Sequence, residues 1–391
     1  FDLVTASSGF KTADLLTQAV SQQLRAFCQG YCSLNLEKKL YRLDSNKFSL
    51  LLDHLPEHDF AEHLASELHH SMAKAVCIKQ KEFHLSLSIG ISHYPNHSLE
   101  SEALLANADA ALARIKTEGG DGILCYSQDI YDKEQAWINL ESDLRLAIER
   151  NELQLYYQPK ITAHKHTISG LEALIRWFKS DGKMVSPAEF IPIAEQTGLI
   201  IIIGDWVIEQ AFRQLKTWQS LNILNEQFSI AVNLSAKQFQ HPNFIHNIQQ
   251  RLEEADVDPQ FIELEITESL LIGDIEQSIH IMHKLKEIGF KLSIDDFGTG
   301  YSSLSYLKQF PIDKLKIDRA FVMDIESNND DKILAKSIID LAHNLNLSVI
   351  AEGVENDQQL EIIEQLGAEE IQGFYFSKPK PAEDIEKEYL R

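Results

Sequence analysis

Apolar residues alternate with polar ones along Phe83–Ser92, where Leu85, Leu87, Ile89 and Ile91 face one way; this period of two predicts a half-buried strand. The neighbouring segments change to a helical period. Ala13–Phe27, His58–Ile78 and the Ala-rich Ser101–Lys116 each carry an apolar stripe, the last stopped by Gly119-Gly120. Leu40–Leu52 reads as two strands joined by the polar turn Asp44-Ser45-Asn46-Lys47. Residues 1–127 therefore have an α+β layout. Gln128–Asn151 is a charged helix with Trp137, Leu140, Leu144 and Ile148 on one stripe. Its first part, 128–139, reads as a linker into a second domain, 140–391.

From Glu152 the rhythm becomes strand then helix. Eight strands are predicted, at Leu153–Gln158, Ile168–Leu174, Phe228–Asn233, Phe261–Thr267, Phe290–Asp295, Lys314–Asp318, Ser348–Glu352 and Ile371–Phe374. The clearest helices between them are Asp205–Ser220, Asn243–Ala255, Ile275–Ile288, Asp331–Asn344 and Asp357–Leu366. This succession predicts an α/β fold, a TIM-like (β/α)8 barrel. Only the polar turn Thr162–Thr167 separates the first two strands. No crossover helix fits there, so the pair is expected to be antiparallel.

Composition adds limits. A chain of 391 residues suggests two or three domains, and 44% hydrophobic with 24% charged residues supplies an ordinary core. The formal net charge of −23 disfavours duplex nucleic acid, which binds through Lys and Arg. A small phosphate ligand stays open, because bound cations can invert the local field. No apolar run reaches the roughly 20 residues of a membrane helix; the longest candidate is Gly198–Ile203. Phe1 opens no signal-peptide pattern, and the chain is expected to be a cytoplasmic piece of something longer, such as a sensor or membrane protein. Cys28, Cys32, Cys77 and Cys125 make no disulfide or zinc framework and read as reduced thiols. His54, His58, His63, His69 and His70 read as surface histidines on a polar helix and loop.

The predicted barrel puts its chemistry at the carboxyl ends of the strands. Those ends carry Glu172, Asn233, Glu265, the adjacent pair Asp295 and Asp296, Lys316 and Glu352. Nearly all are oxygen donors, and no His or Cys accompanies them. Such a set favours Mg²⁺ or Mn²⁺ over zinc, and two such ions suit phosphoryl chemistry. Lys316 fits two roles, a cation that orients water or a salt-bridge partner of these acids.

On these residues the second domain resembles the EAL-domain family, the phosphodiesterases of bacterial cyclic di-GMP. The signature is Leu171-Glu172-Ala173-Leu174-Ile175-Arg176-Trp177. Further matching segments are Tyr157-Gln158-Pro159, Phe190-Ile191-Pro192-Ile193-Ala194-Glu195, Val232-Asn233-Leu234-Ser235, Glu265-Ile266-Thr267-Glu268, Asp295 to Leu304, Lys316-Ile317-Asp318-Arg319, Ala351-Glu352-Gly353-Val354-Glu355 and Gln372-Gly373-Phe374. The resemblance implies a barrel with one antiparallel strand, which agrees with the short first connection. It implies that Glu172, Asn233, Glu265, Asp295, Asp296 and Glu352 bind two metal ions. It gives Lys316 a role on the catalytic water, and Glu268 the anchoring of the loop Phe297–Leu304. Gln158, Leu174, Arg176, Asp318, Glu355, Gln372 and Phe374 match substrate-contacting positions. The implied reaction opens cyclic di-GMP to linear pGpG, and a homodimer through the barrel is the family expectation.

Residues 1–127 resemble the GGDEF family, the diguanylate cyclase fold, in degenerate form. Ser86-Leu87-Ser88-Ile89-Gly90-Ile91 and Asn107-Ala108-Asp109-Ala110-Ala111-Leu112 match its late strand and helix. The signature position reads Asp44-Ser45-Asn46-Lys47-Phe48, without its glycines and with Lys47 in place of an acid. Thr5 and Ala6 stand where the family contacts the base, and Leu36 and Lys39 stand at its inhibitory site. The resemblance thus implies no cyclase activity and a regulatory or dimerising role. Two other functions stay open for the chain, a cyclic di-GMP receptor without turnover and a signalling scaffold.

Overall fold

The computed structural model describes residues 10–31, 36–44, 46–53, 55, 59–72, 76–78, 81–83, 85–117, 120–224, 228–268, 270, 275–298 and 307–391. Thr5, Ala6, Cys32, Ser45, His54, His58 and residues 299–304 of the predicted loop lie outside them. The chain divides into two compact units, Phe1–Asn139 and Leu140–Arg391.

The first unit contains α1 (Phe10–Gln29), the hairpin strands β1 (Leu40–Arg42) and β2 (Phe48–Leu50), and α2 (Phe60–Met72). A second antiparallel pair follows, β3 (Val76–Ile78) and β4 (Lys81–Phe83). Then β5 (Ser88–Ile91) and β6 (Gly122–Cys125) pair in parallel across α3 (Ser101–Thr117). Leu16, Val20 and Leu24, four residues apart on α1, are buried, and Val20 and Leu24 pack with Met72. Gly90 brings α3 onto β5: a Cβ there would lie 2.1 Å from the Ala108 carbonyl oxygen.

Two expectations fail here. The helix predicted over His58–Ile78 ends at Met72, and Val76–Ile78 is a strand. The strand predicted over Phe83–Ser92 divides, because residues 85–87 make no ladder. Leu85 and Leu87 still pack against the Val20, Leu24 and Met72 cluster. Alternation there reports burial without sheet pairing.

Helix α4 (Gln128–Ala147) spans the division between the units. The second unit is a closed barrel of eight strands: β7 (Leu153–Thr162), β8 (Ile168–Phe178), β10 (Ser229–Leu234), β11 (Ile262–Thr267), β12 (Lys291–Phe297), β13 (Lys314–Ile317), β14 (Ser348–Ala351) and β15 (Glu370–Ile371). Two short strands flank it, β9 (Met184–Val185) on β8 and β16 (Lys380–Pro381) on β7. Strand β7 runs antiparallel to β8 and β15, while the other barrel pairings are parallel. The short first connection predicts this reversal. The helices are α5 (Pro187–Thr197), α6 (Leu199–Ser220), α7 (Ala236–Phe239), α8 (Phe244–Ala255), α9 (Ile275–Ile288), α10 (Asn329–Asn344), α11 (Asp357–Leu366) and α12 (Ala382–Ile385). Among the described residues no single helix is long and apolar enough to cross a membrane.

Period-two sequence sets the two faces of the barrel wall. In β11, Ile262, Leu264 and Ile266 form one buried apolar face, and Glu263 and Glu265 lie on the other. In β13, Leu315 and Ile317 alternate with Lys314 and Lys316. The charged faces of these strands meet Lys160 of β7 inside the barrel. The lumen is therefore filled with ion pairs rather than the branched aliphatic layers common in this architecture.

Candidate functional site

Strand β12 shows how two consecutive acids can serve one site. The sequence places them at a strand end. In the structure β12 continues to Phe297, and its register on β13 shifts between Ile294 and Phe297. Asp296 adopts a left-handed backbone, φ 54°, a conformation that Asp tolerates better than most residues. The bulge breaks the alternation that would send the two side chains to opposite faces. Asp295 is buried, and its Oδ1 accepts the Asp296 N–H at 3.0 Å. Just beyond, Glu268 Oε2 accepts the Gly298 N–H at 2.9 Å. Glu268 thus holds the described start of the loop after Asp296.

Lys316 sits at the centre of the acids. Its Nζ lies 2.6 Å from Glu265 Oε2, 2.6 Å from Glu352 Oε1, 3.1 Å from Asp295 Oδ1 and 4.0 Å from Glu172 Oε1. Burial alone would lower the ammonium pKa, but Asp295, Glu172, Glu265 and Glu352 hold it well above its ordinary value. Burial raises the Glu172 and Glu352 carboxyls, and the neighbouring acids add to the effect. Partial desolvation, then Asp295 and Asp318, pushes Asp296 up to about 6. Glu265 moves the other way: burial would raise it, but Lys160 and Lys316 bring it below the usual carboxylate range.

A hydrogen-bonded chain extends from this cluster to two predicted substrate-contacting residues. Asn233 Nδ2 donates to Glu172 Oε1 at 2.7 Å. Gln372 Nε2 donates to Glu172 Oε2 at 2.5 Å and to Gln158 Oε1 at 3.0 Å. Gln158 in turn donates to the Ser377 carbonyl at 3.0 Å. Asp318 is the N-cap of a short turn, its Oδ1 accepting from the Ala320 N–H at 2.8 Å. Leu174 and Arg176 follow Glu172 on β8. Arg176 is partly buried, with its guanidinium 5.9 Å from the Tyr156 ring centre. Glu355 pairs with Arg319 at 2.8 Å, and Phe374 is half exposed with Lys378 Nζ 5.5 Å from its ring centre. Among the described residues, Leu174, Arg176, Glu355 and Phe374 make no hydrogen bond to the central acids.

The donor set fits a hard divalent cation. Glu172, Glu265, Asp295, Asp296 and Glu352 bring carboxylates, Asn233 an amide, and Lys316 compensates only part of that charge. Oxygen donors without imidazole or thiolate match Mg²⁺ or Mn²⁺ chemistry.

Sequence reasoning missed the layer beneath. Lys160, fully buried, donates to Glu263 Oε1 at 2.9 Å and Glu265 Oε1 at 2.7 Å. Lys314 joins Glu263 at 3.0 Å and also pairs with Glu370. The signal was present as charged residues two apart: Glu263 and Glu265, Lys314 and Lys316.

Comparison with known proteins agrees with this architecture. The family described as EAL domain matches residues 141–379, and the family described as diguanylate cyclase, GGDEF domain, matches residues 1–122. The chain is 37% identical over 385 residues to the bifunctional diguanylate cyclase/cyclic di-GMP phosphodiesterase MucR of Pseudomonas aeruginosa, covering 98% of this chain and 55% of that protein. It is 35% identical over 392 residues to the cyclic di-GMP phosphodiesterase NbdA of the same organism, covering 100% of this chain and 49% of that protein. The chain thus spans about half the length of these curated relatives. Among solved structures, the PaMucR phosphodiesterase in complex with c-di-GMP is similar with a TM-score of 0.61 and 42% identity, over 63% of this chain and 99% of that one.

Proposed function

The chain belongs to the EAL domain family, and from that premise we propose that its barrel hydrolyses cyclic di-GMP to linear pGpG. The observation that carries the proposal is the oxygen-donor cluster around Lys316 at the mouth of the barrel. Glu172, Asn233, Glu265, Asp295, Asp296 and Glu352 would hold two Mg²⁺ or Mn²⁺ ions. When bound, these ions neutralise phosphodiester charge and acidify a water near neutral pH.

The chain's own groups do the rest. Lys316, fixed by Glu265 and Glu352, orients the attacking water. The water oxygen bonds to phosphorus, the P–O3′ bond breaks, and the leaving 3′ oxygen takes a proton. The product keeps its phosphate on the 5′ side. Arg176 pairs with a phosphate oxygen, and Phe374 offers a ring for guanine. Gln158, Leu174, Asp318, Glu355 and Gln372 complete the substrate contacts. Glu268 accepts from the Gly298 N–H and so anchors the described start of the loop after Asp296.

Incubation with cyclic di-GMP and Mg²⁺ or Mn²⁺ should yield pGpG. Binding without product would instead make the barrel a receptor.

For residues 1–127 we propose a regulatory or dimerising role without cyclase activity, with 128–139 as the linker and 140–391 as the catalytic domain. Supporting this, Lys47 at the degenerate signature pairs with Asp109 at 2.6 Å, so a cation occupies a place where the family carries an acid. Incubation with GTP should give no cyclic di-GMP. Comparing the rates of 1–391 and 140–391 would measure regulation. A homodimer through the barrel and a cytoplasmic location complete the proposal.

A further inference from the structure

Three elements of the first unit converge on one point. Strands β5 and β6 are parallel neighbours, with Ile91 opposite Cys125, so their carboxyl ends lie side by side. His93 follows β5 by two residues, Cys125 closes β6, and Glu62 stands in the first turn of α2. One ligand-type atom from each of these residues lies within 4.8 Å of the other two.

We propose that Glu62, His93 and Cys125 form a binding site for a borderline divalent transition-metal ion, with Zn²⁺ the best match. The argument is independent of the barrel chemistry. Thiolate, imidazole and carboxylate are the three ligand types zinc takes, with bonds of about 2.0–2.3 Å. Around a tetrahedral centre these bond lengths put ligand atoms roughly 3.3–3.6 Å apart. The three ligand atoms lie within 4.8 Å of one another, with His93 Nε2 2.9 Å from Glu62 Oε1, so side-chain rotation alone can bring them to that spacing.

A second observation points the same way. The other carboxylate oxygen, Glu62 Oε2, is buried and accepts no hydrogen bond of ordinary geometry. What lies beside the carboxylate is the Cys125 thiol, a weak donor. A buried carboxylate oxygen without a strong donor is costly, and a cation satisfies it. The backbone around the site is tied down: the His93 N–H donates to His97 Nδ1 at 3.0 Å, and the Tyr126 N–H to the Ile91 carbonyl at 2.7 Å. Side-chain exposures of 14% for His93 and 39% for Glu62 leave a path from solvent. Three protein ligands leave a fourth position for water, so this is an accessible site rather than a closed structural one.

Cobalt substitution tests this on the full chain. Metal-free protein titrated with Co²⁺ should develop a saturable thiolate-to-cobalt charge-transfer band in the near ultraviolet, which Zn²⁺ then removes. The oxygen and ammonium groups of the barrel cannot produce that band. Among the other cysteines, Cys28 is buried in an apolar cluster with Leu36 and Leu64. Cys125→Ser should abolish the band. Glu62→Gln and His93→Gln should retain the wild-type circular dichroism and weaken cobalt binding on the order of 10–100-fold or more. Absence of a band in the wild type, or a full-intensity band in Cys125→Ser, would overturn the proposal. If Cys125→Ser fails to fold, unchanged cobalt affinity in both Glu62→Gln and His93→Gln would overturn it equally.

Discussion

Lys160 and Lys316 grip opposite oxygens of one carboxylate: the first lies 2.7 Å from Glu265 Oε1, the second 2.6 Å from Glu265 Oε2. One lysine belongs to the reversed strand β7 and the other to β13, across the barrel. A carboxylate held from both sides cannot rotate, so its orientation towards the barrel mouth is set before any ligand arrives.

Removing Lys160 should therefore destabilise the whole barrel. It is fully buried, and Lys160→Met leaves Glu263 and Glu265 short of a shared counter-charge. The expected loss is about 3–5 kcal/mol, as for other buried pairs broken on one side. Urea denaturation of residues 140–391 measures it, and a change below the error of the midpoint would contradict the account.

Glu172→Gln should leave the fold intact and stop pGpG formation. Both Glu172 oxygens accept side-chain hydrogen bonds, from Asn233 and Gln372; a glutamine keeps one acceptor, and a flip of the Asn233 amide turns its oxygen towards the new NH2. An amide of the same shape keeps the volume but loses the charge a divalent ion needs. Retained turnover in this variant would remove Glu172 from the metal set.

Lys316→Ala should still bind Mn²⁺, because its carboxylate neighbours remain. The expected effect is on kcat, roughly 10²–10⁴-fold, the range for loss of a positioned proton-handling group. Calorimetry with Mn²⁺ and single-turnover hydrolysis separate the two effects. An unchanged rate would mean that Lys316 only neutralises charge.

Phe374→Ala should raise KM and spare stability. The ring is 50% exposed, so truncating it opens no cavity in the core. A lost aromatic contact with a base is worth about 0.5–1.5 kcal/mol, a few-fold to about tenfold in KM. A fall in melting temperature without a change in KM would show that the ring serves packing instead.

Gly90→Ala should destabilise the first unit selectively. The new Cβ would lie 2.1 Å from the Ala108 carbonyl oxygen and 2.7 Å from the Leu112 nitrogen, both backbone atoms of α3. Helix α3 would have to lift off β5, at a cost of about 1–3 kcal/mol or more. Calorimetry should show the barrel transition unmoved.

Much of this was legible in the sequence because strands and acids follow simple periods. The eight strands of the barrel appear as short apolar runs, and the five-residue connection between β7 and β8 forces the reversal. Oxygen donors at the strand ends mark the mouth. What the sequence hid has physical causes. Asp295 and Asp296 share one site through a backbone bulge, and nothing in their side chains announces a φ of 54° at Asp296. Helix α5 carries Pro187 at its start and Pro192 inside it, and is not among the helices the sequence marks clearly. The sequence predicts the eighth strand over Ile371–Phe374, but it ends at Ile371, because the following residues turn back on Val354. The Lys160 and Glu263 pair is hidden because charges on one face of a strand, lone as at Lys160 or two apart as at Glu263 and Glu265, normally signal solvent, whereas here they signal the lumen.

The ion-paired lumen makes the floor of the reaction site part of the folding core. Mutational loss of activity therefore has two very unequal routes. At the exposed edge, at Phe374 or Asp296, function can be shed with little effect on the fold. Further down, at Lys160, Glu263 or Glu265, function and fold fail together. A lineage drifting from turnover to mere recognition would then be expected to decay from the rim inward, with the buried lysines its last changes.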